Sequence, residues 1–323
     1  MKKLTSILMT LCLVMTLMSG CGAKESVNVR VGSLKGATSL GMLHFMDKAK
    51  KGETNNTYEF TIATAADEIL PLMIKGELDI ALVPANAAAN LYQKSDKAIE
   101  VIDINTLGVL YVVTGNESVA SVADLKGKTI YSTGKGATPE AAITSILEGN
   151  GLTKDDYAIA FMSEASEVVS LLAEDTEAVG VLPQPFVTAA CMQNESLKVV
   201  IDLNEEWNSL YGEDGAKMVT GVTIVRKEFA KEHPEAVKEF LKEHGASAEA
   251  AVTELDKTVA LAVNAELIAK EPIAKKAIPN CNIVCISGED MKKALSGYLE
   301  SLYSFNPDLI GGSVPEDDFY YAE

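Results

Sequence analysis

The sequence predicts an α/β protein of two lobes, joined by two extended crossings that form a hinge and followed by a helical C-terminal tail. Three observations predict it. Short β-like runs alternate with helical patterns from Val27 onward; the alternation restarts after an extended stretch at Thr106 to Thr114; and a second extended stretch, Met218 to Glu228, precedes a mostly helical remainder from Phe229 to Tyr303. Strand-helix alternation implies parallel strands with helices on their faces. A chain of 323 residues, 47% hydrophobic and 23% charged, has globular composition and material for about two domains.

In the first series VNVRVGSL reads as a strand. Met42, Phe45, Met46 and Ala49 then recur at i, i+3, i+4 and i+7, the face of an amphipathic helix that Gly52 closes. Tyr58, Phe60 and Ile62 alternate through the strand TYEFTIAT. ADEILPLMIKGE reads as a helix interrupted or bent at Pro71, because proline removes a backbone donor. LDIALV is a buried strand, ANAAANLYQK a short helix, and TLGVLYVVT one connecting strand. In the second series KTIYST is a strand. TPEAAITSILEGNG is a helix with Thr138 as N-cap, Pro139 at the first helical position and Gly149 to Gly151 at its end. AIAFM, ASEVVSLLAED, AVGVLP, QPFVTAACMQN and LKVVIDL continue as strand, helix, strand, helix, strand. Trp207 to Gly215 reads as a loop.

The N-terminus has the layout of an export signal: Lys2 and Lys3, an apolar run from Ile7 to Met18, then small residues before Cys21. That run is too short for a membrane-spanning helix. Residues 1–20 are therefore the signal peptide, 21–27 a linker, 28–109 plus 222–323 the first lobe and 110–221 the second. The formal net charge is -18, and the body has no run of Lys and Arg, so a nucleic-acid partner is not expected. Cys191, Cys281 and Cys285 remain beyond the leader. A disulfide between Cys281 and Cys285 is permitted by spacing, but the preferred reading is three buried thiols. No metal or cofactor is expected, since none of the three histidines, His44, His233 and His244, lies near a cysteine in sequence.

The tetrapeptide KGAT occurs twice, as Lys35, Gly36, Ala37, Thr38 and as Lys135, Gly136, Ala137, Thr138, each time at a strand-to-helix turn. Helix N-termini present unpaired backbone N-H groups, glycine permits tight turns, and threonine adds a hydroxyl, so both loops suit a polar or anionic ligand. The same residues read equally as turn-and-cap chemistry. Ala85 and Asn86 follow LDIALV and a proline; Gln184, Pro185 and Phe186 follow AVGVLP; Thr220 and Gly221 lie on the return crossing, where a hinge residue can also touch ligand. Asn86 and Gln184 are neutral donors and acceptors, or helix caps.

LMSGC resembles a bacterial lipobox with Cys21 as the lipidated residue, although Met18 stands where that pattern usually has Leu. LPLMIKGELDIALVPANAAANL, SVADLKGKTIYSTGKGATPE and VGVLPQPFVTAA are similar to segments of the extracytoplasmic solute-binding proteins of ABC importers, in the nitrate, sulfonate, taurine and thiamine-precursor group. The chain departs from that group at Gln184-Pro185, where many members carry Glu-Pro. The resemblance implies a type II periplasmic-binding-protein fold and a monomeric lipoprotein held outside the cell on the membrane. It also implies capture of a small solute in an interlobe cleft for an ABC permease and its ATPase. A ligand-sensing lipoprotein is the alternative. An enzyme of the same fold is disfavoured by the leader and by the missing cysteine-rich motif of the pyrimidine-synthesising relatives.

Overall fold

A computed structural model describes residues 26–212 and 215–322; the leader and Cys21 lie outside the described residues. In chain order the elements are β1 (Asn28–Leu34), α1 (Ala37–Leu40), α2 (Leu43–Lys50), β2 (Thr57–Ala63), α3 (Ala66–Ile74), β3 (Ile80–Pro84), α4 (Ala85–Lys94), β4 (Ile99–Leu107), β5 (Leu110–Thr114) and β6 (Thr129–Ser132). Then come α5 (Thr138–Gly149), β7 (Ala158–Phe161), α6 (Ala165–Glu174), β8 (Val179–Pro183), α7 (Phe186–Gln193), β9 (Lys198–Asp202), α8 (Leu203–Tyr211) and β10 (Val219–Arg226). The tail holds α9 (Lys227–Glu232), α10 (Pro234–Thr253), α11 (Leu255–Asn264), α12 (Glu271–Ala277), β11 (Ile283–Ile286) and α13 (Gly288–Phe305).

Two sheets form. The first runs β11-β4-β10-β3-β1-β2 and the second β7-β6-β8-β5-β9. β1, β2 and β3 are parallel, as are β6, β7 and β8, while β10 and β5 enter their sheets antiparallel. The β3 sequence IALVP is apolar and its first four residues are buried, as a strand covered on both faces requires. On one face of the first sheet Val29, Val31, Ile80 and Val225 pack against Phe45 and Phe240. On the other a larger apolar cluster includes Val83 and Ile104, and continues through Tyr298, Trp207 and Ile146 into the second sheet's Ile130 and Val181. At the far end of the first sheet Asp79, 2% exposed, accepts hydrogen bonds from Arg30 and Arg226 at 2.6 to 3.0 Å. This joins β1, the turn before β3, and β10.

Several elements differ from the sequence expectation. Thr106 to Thr114 is not one strand: β4 ends at Leu107 in the first sheet and β5 begins at Leu110 in the second. The break falls at Gly108, where an added Cβ would lie 2.1 Å from Met218 Cε and 2.8 Å from Asn204 Oδ1, so only a bare backbone fits. β10 belongs wholly to the first sheet, with Val219 opposite Leu107, so the chain returns before it. Residues read as a loop form α8, whose N-cap Asp202 accepts from the Asn204 and Glu205 amides and which buries Trp207 completely. The helix α3 runs through Pro71 without interruption. The helical tail contributes β11 to the edge of the first sheet. Cys191, Cys281 and Cys285 are free thiols, with only Cys281 buried and the other two half-buried.

Candidate functional site

The parallel strands of each sheet end beside a hinge strand. In the first sheet the last residue of β3, Pro84, pairs with Gly221 of β10; in the second the last residue of β8, Pro183, pairs with Leu110 of β5. The Gln184 amide then donates to Val109 O, in the crossing itself, at 3.1 Å. The carboxyl ends of open α/β sheets are where ligands bind, so these two ends define the candidate cleft.

Around the first end, Gly36 is the N-cap of α1 at φ 133°, a conformation for which glycine is suited, with open space where a Cβ would stand. α1 is only four residues long and contributes little dipole. Its hydroxyls are engaged: Thr38 donates to Leu34 O at 3.1 Å and Ser39 to the same carbonyl at 2.6 Å. Thr38 nevertheless borders the hinge, since a Cβ on Gly221 would meet Thr38 Cγ2 at 2.6 Å and Asn105 Oδ1 at 2.4 Å. Thr220, Gly221, Asn105, Thr38, Pro84 and Ala85 are thus brought together. Lys35 is exposed, and Ala37 is half-buried. Asn86 is half-buried in the first turn of α4 but does not cap it; Pro84 holds the N-cap position.

The second end differs in chemistry. Thr138 is the first residue of α5 and Ala137 its N-cap, so the hydroxyl does not cap the helix. The Thr138 Oγ1 atom is buried without a hydrogen-bond partner. Glu140 instead reaches back past the N-cap, its carboxylate accepting from the Gly136 amide in the loop. A carboxylate there occupies one loop amide and sets a negative charge beside the helix N-terminus, which opposes an anionic ligand at that point. Lys135 and Gly136 are exposed. Gln184 is buried and its Oε1 accepts from Thr188 Oγ1 at 2.9 Å, while Phe186 is 39% exposed. The Gln184-Pro185 peptide is cis.

Sequence reading missed Asn105, Asn204 and Glu140. Asn204 Oδ1 is buried without a partner against the hinge at Gly108. Glu140, three residues after Ala137, carried a legible signal, the acidic third residue of a helix start. The others are set by long-range pairing. A cavity of about 520 Å³ lies elsewhere, between Ser145, Glu148 and Tyr211 on one side and Gly297, Glu300 and Phe305 of α13 on the other. Ten residues separate Thr138 from Glu148, about 15 Å along a helix, so this cavity is at the opposite end of α5 from the cleft. Sequence distance also misled on the cysteines: Cys285, His244 and Asp103 meet, their potential ligand atoms within 4.8 Å of one another.

A family model described as NMT1/THI5 like matches residues 59–256. Among solved structures, an ABC transporter from Parabacteroides distasonis superposes with a TM-score of 0.77 at 23% identity, over 93% of this chain and 100% of that one. The periplasmic aliphatic sulphonate binding protein SsuA from Escherichia coli superposes with 0.71 at 14% identity, over 91% and 92%. A Candida albicans protein said to exhibit the generic periplasmic binding protein structural fold gives 0.55 at 14%, over 90% and 92%. These likenesses establish that fold for the chain. No curated protein matches in sequence.

Proposed function

The chain belongs to the NMT1/THI5-like family, and from that premise we propose that it is an extracytoplasmic solute-binding lipoprotein. It captures a small polar solute between two lobes and delivers it to an ABC permease and its ATPase. The observation that carries this reading is the paired geometry of Pro84 and Pro183, each ending a parallel strand against a hinge strand. Lobe 1 comprises 28–109 plus 219–323, with β10 whole in its sheet, and lobe 2 comprises 110–218. The binding surface comprises the Lys35 to Thr38 and Lys135 to Thr138 loops, Ala85, Asn86, Gln184, Pro185, Phe186 and Thr220. No catalytic role is assigned to any of them.

Polarity of the ligand follows from what the cleft presents. The half-buried Asn86, the Thr138 hydroxyl and Asn204 Oδ1 offer hydrogen-bonding atoms, whereas Glu140 sets a negative charge where the second loop would otherwise receive an anion. The proposed solute is therefore polar and neutral or cationic in the part that meets α5. Cys21 carries the lipid that anchors the protein. Among the described residues no helix is long and apolar enough to cross a membrane, so anchoring in this reading rests on the acyl chains.

A thermal-shift panel of sulfonates, nitrate, carboxylates and thiamine precursors tests the proposal, together with mass spectrometry of co-purified solute. A true ligand raises the melting temperature with concentration by mass action and compacts the protein in small-angle scattering. If no compound shifts the melting point and scattering shows no compaction, solute capture is wrong. Substituting Cys21 by Ala should release the protein from the membrane fraction without altering ligand affinity.

A further inference from the structure

Behind the cleft floor a relay of hydrogen bonds leads into the first lobe. Asn105 Nδ2 donates to Thr223 Oγ1 at 3.3 Å, and Thr223 Oγ1 donates to Asp103 Oδ1 at 2.7 Å. The other carboxylate oxygen, Asp103 Oδ2, lies 3.0 Å from His244 Nδ1 on α10. Asp103 and His244 are both 0% exposed, and the second ring nitrogen, His244 Nε2, is buried without a partner. Cys285 completes the group from β11. That strand pairs irregularly with β4: Ile283 faces Thr106 and Ile286 faces Ile104, so three steps on β11 match two on β4. The extra residue is a bulge, the device by which an edge strand re-aims a side chain.

The geometry points to a metal site: Asp103, His244 and Cys285 form a binding site for a divalent ion of the Zn²⁺ class. One oxygen, one nitrogen and one sulfur donor converge within 4.8 Å. Hard ions such as Mg²⁺ and Ca²⁺ take oxygen ligands, whereas imidazole and thiolate select zinc and its neighbours. Charge also fits. A carboxylate, a thiolate and a neutral imidazole cancel a divalent ion, and a neutral assembly is what a buried site tolerates. On binding, the Cys285 thiol releases its proton to solvent as the sulfur-metal bond forms, so no redox partner is required. Three protein ligands leave a fourth position for water. Thr223 supplies the outer-shell hydrogen bond that orients the carboxylate. Entry is from the β11 edge, since Cys285 is half-buried where its two companions are closed off. The ion would pin β11 and α10 to β4, one relay away from Asn105 and the hinge.

Cobalt(II) titration of the untagged protein reads the site directly, because a cobalt-thiolate bond absorbs in the near ultraviolet. The expected result is one equivalent bound with that absorption, displacement by Zn²⁺, and a melting temperature that rises with metal. Cys285→Ser should lose the absorption and at least 10-fold in affinity while remaining folded, since the side chain is half-buried and nearly isosteric. Cys191→Ser, at the other half-buried thiol, should leave both intact. Absence of the thiolate absorption overturns the site, as does a metal-induced rise in melting temperature that is equal in Cys285→Ser and the parent.

Discussion

A single hydroxyl separates a ligand contact from a structural accident. Thr138 Oγ1 is buried without a partner in the unliganded chain, and an unsatisfied buried polar atom costs about 1–3 kcal/mol. Thr138→Val keeps the shape and removes the oxygen. The protein is therefore expected to keep or gain about 1 kcal/mol in denaturant unfolding, while ligand affinity by calorimetry falls about tenfold, the value of one hydrogen bond lost to the solute. Stability gained with affinity unchanged would show that the hydroxyl is an orphan of folding and not a contact. The residue was legible in sequence because KGAT repeats at two strand-to-helix turns; its role was not. Thr138 was read as an N-cap from residue type alone, but Pro139 and Glu140 move the cap to Ala137 and let the carboxylate reach back to Gly136. Gly221 was legible as part of the return crossing, but Asn105 carried no local signal, because what makes it matter is its approach to Gly221 beside Thr38.

Elements were readable where their hydrophobic period was plain and hidden where a polar residue is buried by a distant partner. β3 and α5 showed strand-like and helix-like patterns and formed as read. β4 places Asp103 and Asn105 at alternate buried positions, which breaks the apolar run; His244, 141 residues away, makes Asp103 tolerable there. α8 was obscured because its apolar face is short, although Asp202 announces its start. The same dependence on distant partners governs the Asp79 triad. Burial pushes its carboxyl up, but hydrogen bonds from the Arg30 side chain and amide and from Arg226 outweigh that and hold it below the usual carboxylate range. A depressed carboxylate contributes stability that is present above its unfolded value, about 3.9, and is lost as pH falls through the folded value. Acid unfolding should thus steepen below about pH 4. Asp79→Asn is expected to flatten that limb and to cost about 3 kcal/mol at neutral pH, because two guanidinium groups lose their shared partner. A variant whose acid limb matches the parent would place the acid sensitivity elsewhere.

On the scale of the whole molecule the two sheets are held together by more than the hinge. Tyr111 of β5 donates from its hydroxyl to Asn280 O, beyond the end of α12, at 2.9 Å. α7 packs on α12, and α5 on α13. The sole tryptophan, Trp207, is fully buried between Tyr211 and Tyr298, with ring centroids 4.6 and 5.3 Å away. Trp207 and Tyr298 belong to different proposed lobes, so a hinge motion that parts the lobes there would break the contact. In the proposed mechanism this arrangement is the closed state, and a solute enters through an open one. If the open form dominates without solute, the apparent affinity is reduced by the closed fraction. Tyr111→Phe removes one interlobe hydrogen bond, with a net value of about 1 kcal/mol. It is therefore expected to raise the apparent Kd about fivefold, with the scattering radius at saturating solute unchanged. Trp207 emission should change on solute addition in both proteins and saturate at the same value, since the closed state itself is retained. An unaltered Kd would mean that the closed form already dominates, or that the Tyr111 bond survives opening. The unliganded scattering radius separates these outcomes: a compact parent supports the first, an expanded one the second.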